Sequence, residues 1–231
     1  MLCFLLLPKE LLANGGNLAD MRKAYIENQA QKRKLKFFFY KKPVIAWIEV
    51  SSMKQSDPLI INPLNQIENV DIIKVRNTWI GWYNDVRNEL WLTDYEYDSR
   101  LDRTALEWSN TAKEQWFISH KRNPNDSYYD YWKIDAWFQE RWIVAKNINR
   151  ITHTENIGYG TYSCKKSDCT DTLINSIRST FNFFMSEKGK QYDAHYKSII
   201  KKEFQYIGLW IRIDPKVNRY YLTVHYITDF K

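Results

Sequence analysis

With 231 residues, 44% of them apolar and 16% aromatic, the chain is long enough for one large domain, or for one ordinary domain with an extension, and too apolar for disorder throughout. Its net charge of +7 is concentrated at one end: residues 1–42 hold nine Lys or Arg against three acids, and the remainder holds 25 bases against 24 acids. That distribution excludes a nucleic-acid footprint on the main body and assigns the positive charge to an N-terminal arm.

Met1 to Leu7 is apolar for only seven residues and stops at Pro8, far short of the roughly 20 that a spanning helix needs, so residues 1–14 read as a truncated signal segment or a tail. Residues 15–76 form a basic extension: a polar helix over 17–36, a strand-like run over 37–50, and a linker over 51–69 that contains Pro58 and Pro63. The run from Gln31 to Lys36 reads as a solvated helix face, with peripheral contact to an anionic lipid surface or nucleic acid as its alternative. No other segment is long and apolar enough to cross a bilayer.

A domain over 77–231 opens near Asn77. Trp79, Trp82, Tyr83, Val86 and Leu90 share one face of a first helix. Ser99 with Asp102 resembles a capping box opening a second, whose buried stripe is Leu101, Ala105, Trp108, Ala112 and Trp116. One turn further along that stripe comes His120, expected to point inward. Residues 123–150 are a Tyr- and Trp-rich insertion with a helix from Trp132 to Lys146, and another helix runs from Thr170 to Ser186 with Leu173, Ile177, Phe181 and Phe184 buried. Ile207, Leu209, Ile211 and Ile213 alternate along a strand, residues 214–218 turn, and Arg219 to Thr228 returns. Helices with an antiparallel sheet make an α+β layered domain. Gly158, Gly160 and Gly208 mark places where the backbone comes close to a neighbour.

Three cysteines are present. Cys164 and Cys169 bracket a short polar loop and read either as a local disulfide or as two free thiols, and zinc held by His153 with that pair is a further reading. The His-x-Glu at His153 lacks the Pro-Cys-x-x-Cys that zinc deaminase chemistry needs. His225, in the last strand, reads as a packed or surface residue. No Gly-x-Ser-x-Gly, Walker loop, Rossmann glycine set or His-Glu-x-x-His occurs, which removes the commonest nucleophilic, nucleotide-dependent and zincin mechanisms.

The order of several weak motifs is more specific than any one of them. Asn84 and Arg87 in the first helix, Asp98, Leu101, Ala105 and Trp108 in the second, His120 after it, Thr154-Glu155-Asn156-Ile157, Phe184-Met185-Ser186-Glu187, His195-Tyr196 and the closing Tyr220-Tyr221-Leu222-Thr223 together resemble the CAP superfamily of cysteine-rich secretory, antigen 5 and pathogenesis-related 1 proteins. The match covers 77–231, about two thirds of the chain. It departs from the family in the long gap between His120 and Glu155 and in the Thr that replaces a Gly before Glu155.

The resemblance implies an α-β-α sandwich whose small antiparallel sheet is flanked by helices, a Cys164–Cys169 bridge, an exported protein, and a central cavity holding the tetrad His120, Glu155, Glu187 and His195. Two neighbouring carboxylates repel unless a cation or a shared proton intervenes, and a mixed imidazole and carboxylate set suits Zn²⁺ better than Ca²⁺. The expectation is therefore a divalent cation on His120 and His195, with Glu155 and Glu187 as ligands or water-orienting groups. Asn84, Asn156, Tyr196 and Trp132 are the expected groove residues, and Tyr128, Tyr129, Tyr131, Trp132 and Trp137 an aromatic wall. The leading function is binding of a lipid, glycan, peptide or protein ligand. The alternative is a metal-dependent hydrolase in which Glu155 or Glu187 acts as general base.

Overall fold

The computed structural model describes residues 67, 69–123, 125–126, 130–146 and 152–231. The expected tail, the basic helix over 17–36 and the strand over 37–50 lie outside the described residues, as do Tyr128 and Tyr129.

Helix α1 (Ile72–Glu89) starts where the Asp71 carboxylate accepts the Lys74 N–H at 3.0 Å. Asn77, where the sequence suggested a boundary, therefore falls inside this helix. Ile72, Val75, Trp79 and Tyr83 are buried along one stripe, Trp82 and Val86 pack partly against it, and Leu90 lies past the helix end, exposed. Arg87 is buried as well. It donates to the carbonyls of Thr93, Ile199, Lys201 and Phe204 and stacks on Tyr95, so it ties together the loops below the helix.

A two-residue strand, β1 (Glu96–Tyr97), precedes α2 (Ser99–Gln115). The cap of α2 is Asp98, not Ser99, because its carboxylate accepts the Arg100 N–H at 2.8 Å. Asp102 is not a capping group either. It is buried against the sheet, where it accepts the Leu209 N–H, the Tyr97 hydroxyl and the Arg76 guanidinium. Burial pushes its carboxyl up to about 6 despite these partners. Leu101, Ala105, Trp108 and Ala112 are buried as expected, but Trp116 is 62% exposed, with φ 56°.

Helix α3 (Tyr131–Gln139) is shorter than the span to Lys146 read from the sequence. The missing turns reflect Trp142, which takes φ 62° and ends the helix. After it comes β2 (His153–Thr161), a strand whose polar side chains and two glycines hide the alternation. The loop after β2 carries the Cys164–Cys169 disulfide, with Cα atoms 5.9 Å apart. That bridge removes the zinc reading built on those thiols. Helix α4 (Thr170–Met185) buries Leu173, Ile177, Phe181 and Phe184. Helix α5 (Ala194–Ile200) and the hairpin of β3 (Tyr206–Asp214) and β4 (Arg219–Ile227) complete the domain.

The sheet order is β1-β3-β4-β2, antiparallel except for the short parallel pair β1 and β3. Ile207, Leu209, Ile211, Leu222 and Val224 join one core with α1 and α4, while Leu101, Ile134, Phe138 and Ile227 form a second under α2 and α3. Helices thus cover both faces in an α-β-α sandwich, and β2 is left as an edge strand. Gly208 is what lets α2 lie on the sheet. A Cβ there would sit 2.5 Å from the Asp102 backbone nitrogen. Among the described residues no helix is long and apolar enough to cross a membrane.

Candidate functional site

The edge strand β2 runs along a cleft of about 620 Å³. On one side stand Ile118, Ser119 and His120, from the segment that follows α2. On the other stand Ser179, Thr180, Phe183 and Phe184 of α4, and His195 of α5. Gly158 forms part of the floor, and a Cβ there would come within 2.4 Å of the Thr180 methyl, so the glycine sets how closely α4 approaches the strand.

His120 is brought to the cleft by a helix ending, not by the helix. The Trp116 and Phe117 amides close α2 by donating to the Lys113 and Ala112 carbonyls, an arrangement that puts Trp116 in the left-handed region. The following segment turns back, pinned by the Trp108 indole N–H on the Ser119 carbonyl at 3.0 Å.

Two imidazole–carboxylate pairs result. His120 Nδ1 donates to Glu155 Oε1 at 2.8 Å, and His195 Nδ1 donates to Glu187 Oε1 at 2.6 Å, while the His195 backbone N–H takes the other Glu187 oxygen at 3.0 Å. The two rings lie 6.5 Å apart, centroid to centroid, and His195 stacks on Phe184 at 4.4 Å. The four tetrad positions named from the sequence are therefore gathered in two pairs beside one cleft.

Two further residues complete the site, and the motif reading missed both. Arg122 donates to both Glu155 oxygens, at 2.9 and 2.6 Å, with its guanidinium packed against the Trp108 and Trp137 rings at 3.7 and 4.4 Å. His225, paired with Glu155 across β2 and β4, reaches Glu155 Oε2 through Nε2 at 3.2 Å. Burial alone would push the Glu155 carboxyl up, but the Arg122 charge and the hydrogen bonds from His120 and His225 hold it well below the usual range. Burial pulls His225 down to about 4, so at neutral pH its ring is uncharged. Nε2–H then donates to the carboxylate, and Nδ1 meets the Thr104 hydroxyl at 2.8 Å. The sequence reading of His225 as a packed residue holds, with the addition that it packs on the site carboxylate.

The other expected groove residues lie elsewhere. Asn84 clamps the Tyr95 backbone, accepting its N–H at 2.8 Å and donating to its carbonyl. Asn156 is buried behind the cleft and donates to the His195 carbonyl at 3.1 Å, so it fixes α5 to β2. Tyr196 is buried, and Trp132 packs beside Tyr131, whose hydroxyl accepts the Thr152 and His153 amides. Neither lines the cleft. Trp137 serves the Arg122 stack instead of a groove wall. His153 is buried on the α3 side, its Nδ1 on Asp135 at 2.7 Å and its ring stacked on Phe138.

Both Glu155 oxygens are engaged by Arg122, His120 and His225, and both Glu187 oxygens by His195. Among the described residues no three His, Cys, Asp or Glu converge in a metal-ligating cluster. His120 and His195 are each oriented through Nδ1 by a carboxylate, as metal-binding histidines commonly are.

A three-layer sandwich with imidazole–carboxylate pairs at a sheet-edge cleft defines the class. The chain belongs to the CAP family, the cysteine-rich secretory protein family, whose model matches residues 81–226. Its fold is similar to that of an outer surface protein from Borrelia burgdorferi, at 14% identity and a TM-score of 0.48, over 70% of this chain and 97% of that one. It is also similar to the CAP domain of enterococcal PrgA, at 15% identity and a TM-score of 0.47, over 67% and 60% of the two chains. A third likeness is to an extracellular protein containing an SCP domain from Bacillus anthracis, at 16% identity and a TM-score of 0.45, over 74% of this chain and 45% of that one. No curated protein matches the sequence.

Proposed function

We propose that the chain is an exported CAP-domain binding protein that takes its ligand in the cleft along β2, with His120 and His195 as the polar contacts. The carrying observation is that two separately built imidazole–carboxylate pairs stand at one aromatic-rimmed cleft. Tyr159 and Phe183 line it with their rings largely exposed, and Trp116 and Phe117, also exposed, lead into Ile118 at its wall. Exposed rings gathered at a concave site mark ligand contact more than folding. Such a rim suits a ligand with an apolar face and one polar group, which lipids, glycans and peptides can all supply.

A divalent cation, zinc by donor preference, would be held by His120 and His195, with Glu155 and Glu187 orienting the rings and not acting as ligands. It would supply a positive charge to an anionic ligand group. The Cys164–Cys169 bridge suits the oxidising compartment that export implies. The hydrolase alternative loses one of its bases: a carboxylate whose pKa is held this low by Arg122 is a weak proton acceptor near neutral pH.

Zinc titration by calorimetry, with the wild type against His120→Ala plus His195→Ala, tests the pair. Saturable binding that the double variant abolishes supports it, and binding that survives refutes it. Turnover of ester or peptide libraries that Glu187→Gln abolishes would move the assignment to an enzyme.

A further inference from the structure

Strand β2 is paired with β4 on one side, and its other side lies along the cleft. The ladder fixes which backbone groups face which way. At its two ends, the Thr228 N–H donates to the Thr152 carbonyl at 3.0 Å, and the Tyr162 N–H donates to the Asn218 carbonyl at 2.8 Å. Positions 152 and 162 thus stand in hydrogen-bonded pairs. Such pairs alternate along an antiparallel ladder, so Thr154, Asn156, Gly158 and Gly160 also direct their amides and carbonyls to β4. Those of Glu155, Ile157 and Tyr159 point the other way, out of the sheet.

Ile157 and Tyr159 both line the cleft, and their outward amides and carbonyls make no hydrogen bond to any described residue. A strand edge in this condition is a template for one more strand, and folded chains ordinarily cover it or load it with charge. Here it is recessed instead. Ile157 is 5% exposed and Gly158 is buried, between the wall that carries His120 and the wall that carries Phe183 and His195. The recess excludes a second copy of the chain pairing edge to edge, because each β2 would have to pass the walls of the other's cleft. A single extended chain fits, about 4.8 Å from β2 in the plane of the sheet.

Main-chain complementarity separates the ligand classes. An acyl chain laid on this floor would strip water from two amides and two carbonyls and leave them unpaired. A peptide backbone offers the matching donors and acceptors at the same spacing, and three residues, about 10 Å of strand, reach all of them. The walls then read alternate side chains. Glu155, on the same face of β2 as Ile157, meets His120, whereas Gly158 faces Thr180 of α4. A peptide residue beside Ile157 therefore points to the His120 wall, and the next one points towards Phe183 and His195.

We propose that the ligand of the cleft is a peptide in extended conformation, added to the sheet beside β2 and paired with the main chain of Ile157 and Tyr159. The inference rests on the cleft being the binding site, and it names the class of ligand and the groups that hold it. His120 and His195 then select among side chains, while the strand edge supplies affinity that does not depend on sequence.

The test is amide hydrogen exchange by NMR on the full chain, alone and with a pool of capped, random-sequence heptapeptides at millimolar concentration. In the protein alone, the Ile157 and Tyr159 amides should exchange faster than those of Asn156, Gly158 and Gly160. The pool should slow both by about tenfold or more, and the same pool N-methylated at every residue should slow neither. Ile157→Pro removes an N–H that the ladder does not use and should abolish the protection of Tyr159, whereas Ile157→Val should keep it. If Ile157→Pro does not fold, the methylated pool makes the same comparison. Dihexanoylphosphatidylcholine below its micelle concentration and cellopentaose serve as lipid and glycan arms. Shifts of the His120 and His195 ring signals with either of these, and none with peptide, overturn the peptide assignment and leave the cleft as the binding site. No ring shift in any arm removes both. Peptide binding that leaves Ile157 and Tyr159 unprotected, or equal binding of the methylated pool, overturns the main-chain pairing.

Discussion

Arg122 holds both carboxylate oxygens of Glu155 with its guanidinium packed against two tryptophan rings, so the positive charge that the Glu155 carboxylate requires is already provided by the chain. Two neighbouring carboxylates without such partners would need an outside cation to relieve their repulsion. In the structure, each acid has its own partner: Arg122 with two histidines for Glu155, and His195 for Glu187.

Removing one member of a buried pair leaves the other uncompensated, at a cost of about 3–5 kcal/mol. Arg122→Gln should therefore destabilise by about that much in urea unfolding, and Arg122→Lys should recover only part, because an ammonium cannot grip two oxygens or lay a flat face on the rings. Arg122→Gln combined with Glu155→Gln should cost clearly less than the two single changes added together. Additive costs would show that the pair is not coupled.

Much of this scaffold was legible from side-chain period alone. Leu173, Ile177, Phe181 and Phe184 spelled out α4, and the alternation from Ile207 to Ile213 spelled out β3, because burial there follows a single geometric rule. The tetrad was legible only through family order. Arg122 was invisible because it lies two residues past His120, in a segment with no periodicity, and its value depends on Trp108 and Trp137, which come from two separate helices. The α2 stripe over-ran to Trp116 for a different reason. The usual sign of a helix end is a glycine in the left-handed position, and here that position holds a tryptophan.

His225 makes the domain sensitive to acid. Its folded pKa, near 4, lies below the ordinary value of 6.5, so on acidification the unfolded chain takes up the proton first. This contribution is intact above pH 6.5 and is lost as pH falls towards 4, by about 3 kcal/mol over the window. Asp102 acts in the opposite sense, since its folded value of about 6 exceeds the ordinary 3.8 and protonation relieves its burial. The wild type should therefore lose little stability between pH 7 and 5. His225→Gln, which keeps a donor for Glu155 and an acceptor for Thr104, leaves the Asp102 effect unopposed. Chemical unfolding at pH 7 and pH 5 should show this variant gaining relative to wild type at the lower pH. An equal pH response in the two proteins would refute the assignment.

Gly158 and Gly208 both lack room for a methyl group, but they differ in what stands in the way. At Gly208 the obstacle is backbone of α2, including the Asp102 nitrogen, whereas at Gly158 it is the Thr180 methyl. Overpacking of this kind costs about 1–3 kcal/mol, and most where nothing can yield. Gly208→Ala should therefore be the more damaging change in thermal melts. Thr180→Ser removes the obstructing methyl and keeps the hydroxyl that bonds to Tyr220, so it should restore most of what Gly158→Ala loses. It should do nothing for Gly208→Ala.

Three helices end on tryptophans held in the left-handed region: Trp91 after α1, Trp116 after α2 and Trp142 after α3, with φ of 56°, 56° and 62°. Their side chains are 96%, 62% and 84% exposed, so little packing compensates for the conformation. A side chain in this region costs about 1–2 kcal/mol, part of which glycine returns as chain entropy when unfolded. Trp91→Gly should thus gain about 0.5–1 kcal/mol in urea unfolding, and Trp116→Gly less, because its ring keeps some contact. The two should separate on binding. Trp116 leads directly into the cleft wall, so Trp116→Gly should weaken uptake of the apolar dye ANS by the folded protein, while Trp91→Gly should leave it unchanged. Equal losses in both variants would place the dye outside the cleft and deprive the aromatic rim of its proposed role.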